Sequence, residues 1–265
     1  MPSLQQGANK SVDRALCLLD IFSEACAAVT ANQIAAVLET SRATIYPTLN
    51  ALLAHKYLDR DKKGRFTLGM QVVERAGVKL SHLDIRNLAQ ERLRALARSL
   101  GVSVHLATLH DSEVLYLGRE EGLPNPTLHE IVGRRVSPHC TALGKALLAF
   151  LPQQDRERIA RNLHYICCTP HTISNSEDYL RALDVVREDG YALEMEEFHL
   201  GSACIAAPIR YMDGQVAGAI SASVATSDLK AGRMLQLATI VVKTANATSN
   251  DLQRRKCSSN SEPRR

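Results

Sequence analysis

Two segments near the start of the chain carry apolar residues at helical spacing. In the first, the apolar series follows Thr30, a common helix cap, and Gln33 stands three positions later, which completes a capping-box pattern. Residues 39–41 interrupt the spacing, and Ser41 can cap a second helix whose apolar positions recur every three or four residues. The pattern predicts two helices joined by a short turn.

The second predicted helix has an apolar face for the core and a polar face. Side chains on the polar face, Thr48 among them, could contact phosphate oxygens and base edges in a major groove. The candidate DNA contacts of this motif are Thr30, Ser41, Arg42, Ala43, Thr44, Tyr46 and Asn50. Pro47 falls inside this helix, where a missing amide donor typically costs about 3 kcal/mol. We therefore expect a bend there or an irregular first turn.

Two strand-like segments, 58–61 and 65–68, follow this helix and surround a basic turn. Gly64 allows the positive φ that a tight hairpin requires, and Lys62, Lys63 and Arg65 would lie beside a DNA backbone. A solvated hairpin tip is the ordinary interpretation of such a turn taken alone. The ordered combination of capped helix, short turn, polar-faced helix and basic hairpin predicts a winged helix-turn-helix that binds DNA.

Helical spacing also flanks this motif. An amphipathic helix before it is expected to pack under the motif through Val12, Ala15, Leu16, Leu19, Ile21 and Phe22. After it, residues 70–80 predict an interdomain linker helix, and residues 83–100 predict a helix that Gly101 ends. A second, mixed domain follows. Its predicted strands are 102–109, 113–118, 203–210 and 216–225, and its predicted helices are 142–150 and 178–188.

This order of elements favours a meandering antiparallel sheet with helices on its faces over parallel βαβ units. The chain of 265 residues, 45% of them hydrophobic, is long enough for two cores. We expect a first domain over 1–68, a linker helix over 69–82, a second domain over 83–252 and a disordered basic tail over 253–265.

Positive charge concentrates at the two ends of the chain. Residues 1–80 contain ten Lys or Arg against seven Asp or Glu, residues 81–250 contain 17 against 19, and the last fifteen residues contain five against two. The tail is interpreted as a solvated end, with extra attraction to phosphate as the alternative.

Cysteine usage and hydropathy indicate a soluble, cytoplasmic protein. None of the seven cysteines forms a Cys-x-x-Cys pair, which favours reduced thiols over a disulfide framework. No apolar run reaches membrane-spanning length, and the polar N-terminus lacks the order of a signal peptide.

Two groups of side chains could indicate a zinc site or a catalytic pair, but each is weak evidence for that chemistry. The segment His164-x-x-Cys167-Cys168-x-x-His171 offers four potential zinc ligands, but adjacent cysteines point in diverging directions. His139 and Cys140 could form a catalytic pair, yet sequence neighbours seldom meet with an orienting third group. Nucleotide-binding glycine motifs and a Gly-x-Ser-x-Gly segment are absent. We therefore expect no metal, no cofactor and no enzymatic activity.

Two stretches of the second domain carry a family resemblance. They are Val132-Gly-Arg-Arg-Val-Ser-Pro-His-Cys-Thr-Ala-Leu-Gly-Lys-Ala146, and Gly190-Tyr-Ala192 through Glu197 to Cys204-Ile-Ala-Ala-Pro208. With the segment from Ser11 onward, the chain resembles the IclR-type bacterial transcription regulators, named for the isocitrate lyase regulator. The resemblance implies an N-terminal winged helix-turn-helix, a linker helix, and a C-terminal GAF-like α/β domain that binds a small effector. It also implies a dimer or dimer of dimers that controls operons for metabolites, often carboxylates or aromatic acids.

The resemblance further implies an effector cavity. Its candidate residues are Leu128, Ala142, Leu143, Glu194, Cys204, Ser221 and Ser223. Physically, Ser221 and Ser223 stand two apart on a strand and share a face, and amides at the helix start after Thr141 suit an anion. The alternative is that both serines only bond backbone groups in a sheet without a cavity.

The chain departs from the family pattern at two positions. Pro47 stands where many relatives carry a basic residue, and Glu194 stands where several acid-sensing relatives have aspartate. The low aromatic content of 4% favours a small acid as effector, whereas the Glu194 carboxylate opposes an anion. Two alternatives to metabolite control stay open: a redox- or metal-responsive regulator that switches through Cys167 and Cys168, and a ligand-binding module without DNA function.

Overall fold

The computed structural model describes residues 9–23, 26–122, 132–229 and 232–259. Contacts between Cα atoms divide the chain into two compact units, Met1–His82 and Leu83–Arg265. Leu128 lies outside the described residues, so the structure says nothing of its proposed place in the cavity.

The first unit is a winged helix-turn-helix, as the sequence predicts. Its elements are α1 Lys10–Leu19, α2 Ala31–Val37, α3 Arg42–Ala54, β1 Leu58–Arg60, β2 Phe66–Leu68 and α4 Met70–Ser81. The capping box of Thr30 and Gln33 begins α2, and the Ser41 side chain caps α3. Strands β1 and β2 pair antiparallel, and Gly64 has a φ of 74° at their turn. Local capping and turn chemistry therefore fix the limits of these elements.

Two details of this unit correct the sequence interpretation. Val12 and Leu16 are 55% and 58% exposed, whereas Cys17 and Leu18 face the core. Helix α1 carries apolar residues on more than one face, so spacing alone could not choose the buried one. Thr48, which the sequence interpretation assigned to the polar face of α3, is buried: it stands three positions after the core residue Ile45, and residues three apart share one face of a helix.

Helix α3 continues through Pro47, which is exposed. The amides of Thr44 and Ile45 both donate to the Ser41 carbonyl, at 3.1 and 3.2 Å, so the first turn is closed. Proline cannot donate to the carbonyl four residues earlier, and that residue, Ala43, is exposed to solvent. An exposed carbonyl can bond water, which makes the proline tolerable at this position.

The second unit is a mixed α/β domain. Its helices are α5 Asp84–Leu100, α6 Ala142–Ala149, α7 Gln153–Asn162, α8 Ser176–Asp189 and α9 Arg233–Ser259, with 3-10 turns at Pro138–Cys140 and Thr226–Asp228. Its strands are β3 Ser103–His110, β4 Glu113–Glu120, β5 Arg135–Val136, β6 Ala192–Met195, β7 Ser202–Arg210 and β8 Val216–Ala225. Gly101, with a φ of 68°, ends α5 as expected.

The six strands form one antiparallel sheet in the order β5-β4-β3-β8-β7-β6. Two three-stranded meanders therefore meet where β3 pairs with β8. Alternate residues serve two cores: Ile205 on β7 packs with α5 and α9, and its neighbour Ala206 packs with α6 and α8. The expected antiparallel sheet with helices on its faces is confirmed.

The expectation of a disordered tail from residue 253 is wrong for residues 253–259, which continue α9. The helix is held by a buried apolar stripe that includes Leu237, Val241 and Leu252. Near its end, Arg255 forms an ion pair with Asp84 at 3.3 Å. Polar composition suggested disorder, but contacts made by the preceding apolar positions extend the helix.

Candidate functional site

The polar face of α3 presents the predicted DNA-contacting side chains to solvent. Arg42, Ala43, Thr44 and Asn50 are exposed, and Tyr46 is half-buried. Arg42 donates from Nη2 to the Tyr46 hydroxyl at 3.0 Å, and its guanidinium lies 5.7 Å from the centre of that ring. This contact orients the arginine along the helix face, so the arrangement can deliver a cation and several hydrogen-bonding groups to a groove.

The hairpin turn between β1 and β2 presents two lysines. The Asp61 carboxylate accepts the backbone amides of Lys63 and Arg65, both at 2.9 Å, and it also pairs with the Arg65 side chain at 2.8 Å. The Arg65 guanidinium holds the pKa of Asp61 below its usual value. Lys62 and Lys63 are exposed, and the part of the chain that the structure describes offers neither an acidic partner. These two lysines remain available for phosphate, whereas Arg65 is partly committed to the turn.

Thr30 and Ser41 have local roles in the helix-turn-helix. The Thr30 hydroxyl accepts the Gln33 amide at 3.3 Å, and the Ser41 hydroxyl accepts the Thr44 amide at 3.2 Å. Both side chains are exposed at helix starts, where backbone amides favour a phosphate.

In the second unit, one cavity brings together six of the seven predicted effector residues. Helix α6 contributes Ala142 and Leu143, and the strands contribute Glu194, Cys204, Ser221 and Ser223. Four further residues complete the lining: Thr141, which belongs to the turn predicted at the helix start, and His105, Tyr116 and Phe198, which sequence reasoning missed. The β3–β8 register places His105 opposite Ser221, a pairing that periodicity within a single strand does not reveal.

The polar side chains of the cavity contact one another across the sheet. Cys204 and Ser223 are register partners, and their Sγ and Oγ atoms are 3.1 Å apart. The Ser221 hydroxyl lies 3.5 Å from Nδ1 of His105. Both serines therefore contact side chains at the cavity, which disfavours the alternative in which they only bond backbone groups.

The start of α6 forms the opposite wall. Thr141 caps this helix by accepting the Gly144 amide at 3.0 Å. Gly144 is required by close packing, because a Cβ atom there would lie 2.2 Å from the Pro138 carbonyl oxygen. The helix start thus presses against the preceding 3-10 turn, and its first two residues, Ala142 and Leu143, line the cavity.

Glu194 is the most deeply buried acid of the lining, with 1% of its surface exposed. Its Oε1 atom accepts the backbone amides of Glu197 at 2.6 Å and Phe198 at 3.2 Å. Burial raises the pKa of this carboxyl to about 7, although the two amides act in the opposite direction. Near neutral pH, Glu194 therefore exists partly as a neutral acid that can donate a proton to a ligand oxygen.

A buried ion pair stands behind this wall. Lys145 on α6 donates from Nζ to Glu197 Oε1 at 2.5 Å and to the Leu193 carbonyl at 3.1 Å. Both side chains are almost fully buried. The pair joins α6 to the segment after β6, and it leaves the ammonium group committed to Glu197.

The cavity is small. Its volume is about 20 Å³. One water molecule needs roughly 10–15 Å³, and ligand pockets for larger molecules are roughly 300–1,000 Å³. The structure therefore holds the cavity in a closed form.

The other sequence groups do not assemble into a site. Within the described ranges, no cluster of three or more His, Cys, Asp or Glu side chains could hold a metal ion. His139 contacts Ser137 Oγ through Nδ1 at 2.7 Å and the Ile166 carbonyl through Nε2 at 3.1 Å, so both ring nitrogens are engaged away from Cys140. Burial lowers the pKa of His139. None of the helices in the described part of the chain is both long enough and apolar enough to cross a membrane.

Comparisons with known proteins match both units. The IclR helix-turn-helix domain model matches residues 11–62, and the model of the bacterial transcriptional regulator IclR C-terminal domain matches residues 78–250. The HTH-type transcriptional regulator XynR of Escherichia coli is 34% identical over 228 residues, which cover 86% of this chain and 88% of XynR. KdgR of E. coli is 29% identical over 187 residues, which cover 70% and 71% of the two chains.

Solved structures agree on the fold. The Thermotoga maritima IclR superposes with a TM-score of 0.74 at 25% identity, covering 91% of this chain and 98% of the other. An IclR homologue from Microbacterium hydrocarbonoxydans, solved with 4-hydroxybenzoate, gives a TM-score of 0.80 at 24% identity and the same coverage. The related proteins named by these comparisons are transcriptional regulators, a non-enzymatic class, which agrees with the expectation that this protein is not an enzyme. Because the two family models together span most of its length, this chain belongs to the IclR family of bacterial transcriptional regulators.

Proposed function

We propose that this regulator binds operator DNA as a dimer and that a small carboxylate or aromatic acid, bound in the second-unit cavity, changes the affinity of the dimer for DNA. One observation carries the ligand part of the proposal. Residues from α6, β6, β7 and β8, separated by as many as 81 positions in the chain, converge on a single cavity that also contains a helix start.

The chemistry of the lining favours an acid. Amides at the start of α6 and the hydroxyls of Thr141 and Ser221 are suited to a carboxylate. None of the described lining residues is Lys or Arg, so the amide and hydroxyl dipoles would have to stabilise the negative charge of the ligand. Tyr116 and Phe198 add aromatic surface, and the Microbacterium homologue with 4-hydroxybenzoate supports the same ligand class.

The first unit supplies the DNA contacts in this proposal. Helix α3 would enter the major groove with Arg42, Thr44 and Asn50 toward the bases, while Lys62 and Lys63 contact phosphates from the hairpin. Thr30 and Ser41 would add contacts from helix starts. Loss of Arg42 should therefore affect sequence selectivity, and loss of Lys62 should affect salt dependence.

Self-association is supported by α4. This helix has no buried residue, and Met70 and Val73 are 65% and 59% exposed. Met70, Val73, Gly77 and Leu80 recur at intervals of three, four and three, which is the spacing of a seam between two helices. We propose that a second copy of this chain covers the seam. Val73→Glu should produce monomers in sedimentation experiments, whereas the exposed Arg75→Glu, on the same helix, should leave the dimer intact.

The test of the proposed function is a binding titration on DNA upstream of the protein's own gene, with random DNA as a control. Small carboxylates and aromatic acids are then added to find a compound that changes the binding. Ser221→Ala should weaken the response to that compound and leave effector-free DNA binding unchanged, and the exposed Ser227→Ala is the matched control. Binding no tighter than to random DNA would refute the regulator model for this α3. Loss of both DNA binding and response in Ser221→Ala would indicate a folding defect.

The alternative in which cysteines or a metal carry the primary signal gains no support. His164, Cys167 and His171 do not meet in a metal-binding cluster among the described residues. The family models and the relatives named above do not point to redox control. Serine substitution of both Cys167 and Cys168 should therefore leave the response to an effector in place.

A further inference from the structure

The side of α3 that lies opposite the core is formed by three exposed residues. The buried residues of this helix are Ile45, Thr48 and Leu49. An α-helix turns by about 100° per residue, so the positions opposite this buried side are Ala43, Pro47 and Asn50, within an arc of about 60°. All three are exposed. We call them the central face of α3, because they lie in the middle of the surface that would enter a major groove.

The central face carries no charge. Arg42 is the only charged residue of α3, and it lies about 100° to one side of Ala43. Its Nη2 atom donates to the Tyr46 hydroxyl at 3.0 Å, which holds the guanidinium on that side. Ala43 and Pro47 stand four positions apart and are therefore neighbours on the helix surface. Because proline also lacks an amide hydrogen, the middle of the face is apolar and offers no donor at Pro47.

Pro47 gives the fold no evident benefit at this position. Inside a helix, proline removes one backbone hydrogen bond and destabilises the helix. Its side chain is exposed, so the core of the first unit gains no buried surface in return. A residue that breaks a local rule without a compensating contact in the fold is expected at a functional site. On this face of a helix-turn-helix, the function is contact with DNA.

The bases differ in what they present to such a face. In the major groove, thymine carries a C5-methyl group, whereas the other three bases are distinguished there by hydrogen-bond donors and acceptors. An apolar surface placed over those polar groups would remove their water without replacing the hydrogen bonds, which is unfavourable. Ala43 and Pro47 therefore fit a thymine methyl group best.

Asn50 offers a different contact. Its side-chain amide can donate to N7 of adenine and accept from N6, a pairing that selects adenine. Asn50 stands three residues after Pro47, a rise of about 4.5 Å along the helix. Successive base pairs are about 3.4 Å apart. A helix that lies along the groove therefore places the two side chains over neighbouring base pairs.

We propose that Ala43 and Pro47 select thymine through its C5-methyl group and that Asn50 selects adenine at the neighbouring base pair. The half-site facing the middle of α3 is then composed of A·T pairs, while a guanine contact comes only from Arg42 at the side of the helix. This inference rests on the proposed contact between α3 and operator DNA, and it adds the identity of the bases that are recognised.

The test first selects sequences from a random duplex library with the full-length protein, which yields the half-site without knowledge of the operator. Each thymine of the half-site is then replaced in turn by deoxyuridine, which keeps every hydrogen-bonding group and lacks only the methyl group. Burial of one methyl group strengthens binding about fourfold. We therefore expect a loss of about fourfold at one or two thymines, measured by fluorescence anisotropy. Replacement of thymines outside the half-site is the control and should change nothing.

A cycle of variants assigns the contact to the protein side chains. Pro47→Ser should bind thymine DNA about as weakly as the parent protein binds deoxyuridine DNA, and deoxyuridine should weaken this variant no further. Ala36→Ser, at an exposed position of α2, is the matched control and should keep the full loss. Asn50→Ala should reduce the preference for adenine and leave the response to deoxyuridine unchanged. Unchanged affinity of the variants for random DNA would show that the helix is intact.

The outcomes separate this inference from the proposed function. Selective binding that is insensitive to deoxyuridine, or a half-site without neighbouring A·T pairs, would overturn the inference and leave the proposed function standing. Sensitivity that persists in both Pro47→Ser and Ala43→Ser would place the methyl contact elsewhere and would also overturn it. A library that yields no preferred sequence would overturn both the inference and the DNA part of the proposed function.

Discussion

The buried Glu194 carboxyl predicts a specific dependence of stability on pH. Burial raises its pKa from 4.5 to about 7 in the folded protein. Between these values the folded protein retains a proton that the unfolded chain has released, so stability falls as pH rises through this range. A difference of this size corresponds to about 3 kcal/mol, lost by the time the pH exceeds the folded pKa.

Glu194→Gln isolates this effect. The glutamine keeps an oxygen that can accept the Glu197 and Phe198 amides, and it cannot ionise. Near pH 5 the variant and the parent protein should have similar stability, because the carboxyl is then neutral. Near pH 8 the variant should be more stable by up to about 3 kcal/mol, or roughly 6–12 °C in the melting temperature of a domain of this size.

The assay is thermal unfolding of both proteins from pH 5 to pH 8, followed by calorimetry so that the transition of the second unit is resolved. Glu188→Gln, which removes an exposed carboxylate at the end of α8, is the control for a general change in charge. If the difference between Glu194→Gln and the parent stays constant across this range, the carboxylate is already ionised in the folded protein. In that case the two backbone amides would outweigh desolvation, and the raised pKa of Glu194 would be refuted.

Three further predictions concern the first unit. Arg42→Ala should weaken operator binding by about 1–3 kcal/mol and random DNA less, measured by competition titration; equal losses would make it a backbone contact. Lys62→Ala should lower the slope of log affinity against log salt by about one, measured by anisotropy; an unchanged slope would mean that the hairpin does not engage phosphate. Pro47→Ala should restore an amide donor in α3 and raise the stability of the first unit, by up to about 3 kcal/mol in denaturant titrations. A loss of stability would show that the proline ring contributes packing that its exposure does not suggest.

Local chemistry made much of the fold predictable. The caps Thr30 and Ser41, the turn at Gly64 and the stop at Gly101 act within a few residues, so the sequence reveals them directly. Helix α9 was not among the predicted elements, and its polar end is stabilised by apolar residues one or two turns earlier, such as Leu252. Leu16 was wrongly assigned to the buried face of α1 for a related reason. Which face of the helix is buried depends on the partner helix, and the sequence of α1 does not contain that information.

The residues that line the cavity likewise fall into those that local sequence patterns reveal and those that only distant contacts place. Ser221 and Ser223 could be paired by alternation within one strand, and family resemblance added the remaining predicted residues. His105 and Tyr116 were missed because their membership depends on the pairing of β3 with β8 and β4, which brings together residues more than a hundred positions apart. Phe198 enters through the loop that Glu194 organises. Residues placed by long-range register or by a loop conformation leave no periodic signal in the sequence.

In the proposed function, the closed cavity limits where the effector can enter. Strands β3, β7 and β8 are internal to the sheet, and α6 is wholly buried, so neither wall can move without breaking the core. The segment after β6 is different: it is held by the Thr169 hydroxyl on the Glu196 carbonyl at 2.6 Å, by Thr172 on Glu197, and by Glu194. We infer that the cavity opens by movement of this segment. Opening costs free energy, so only a fraction of the molecules is open at any time, and the apparent affinity for an effector is lowered in proportion to that fraction. Thr172→Ala should therefore tighten effector binding by loosening the closed form. Tighter binding in this variant would place the gate at this segment, and weaker binding would place it elsewhere.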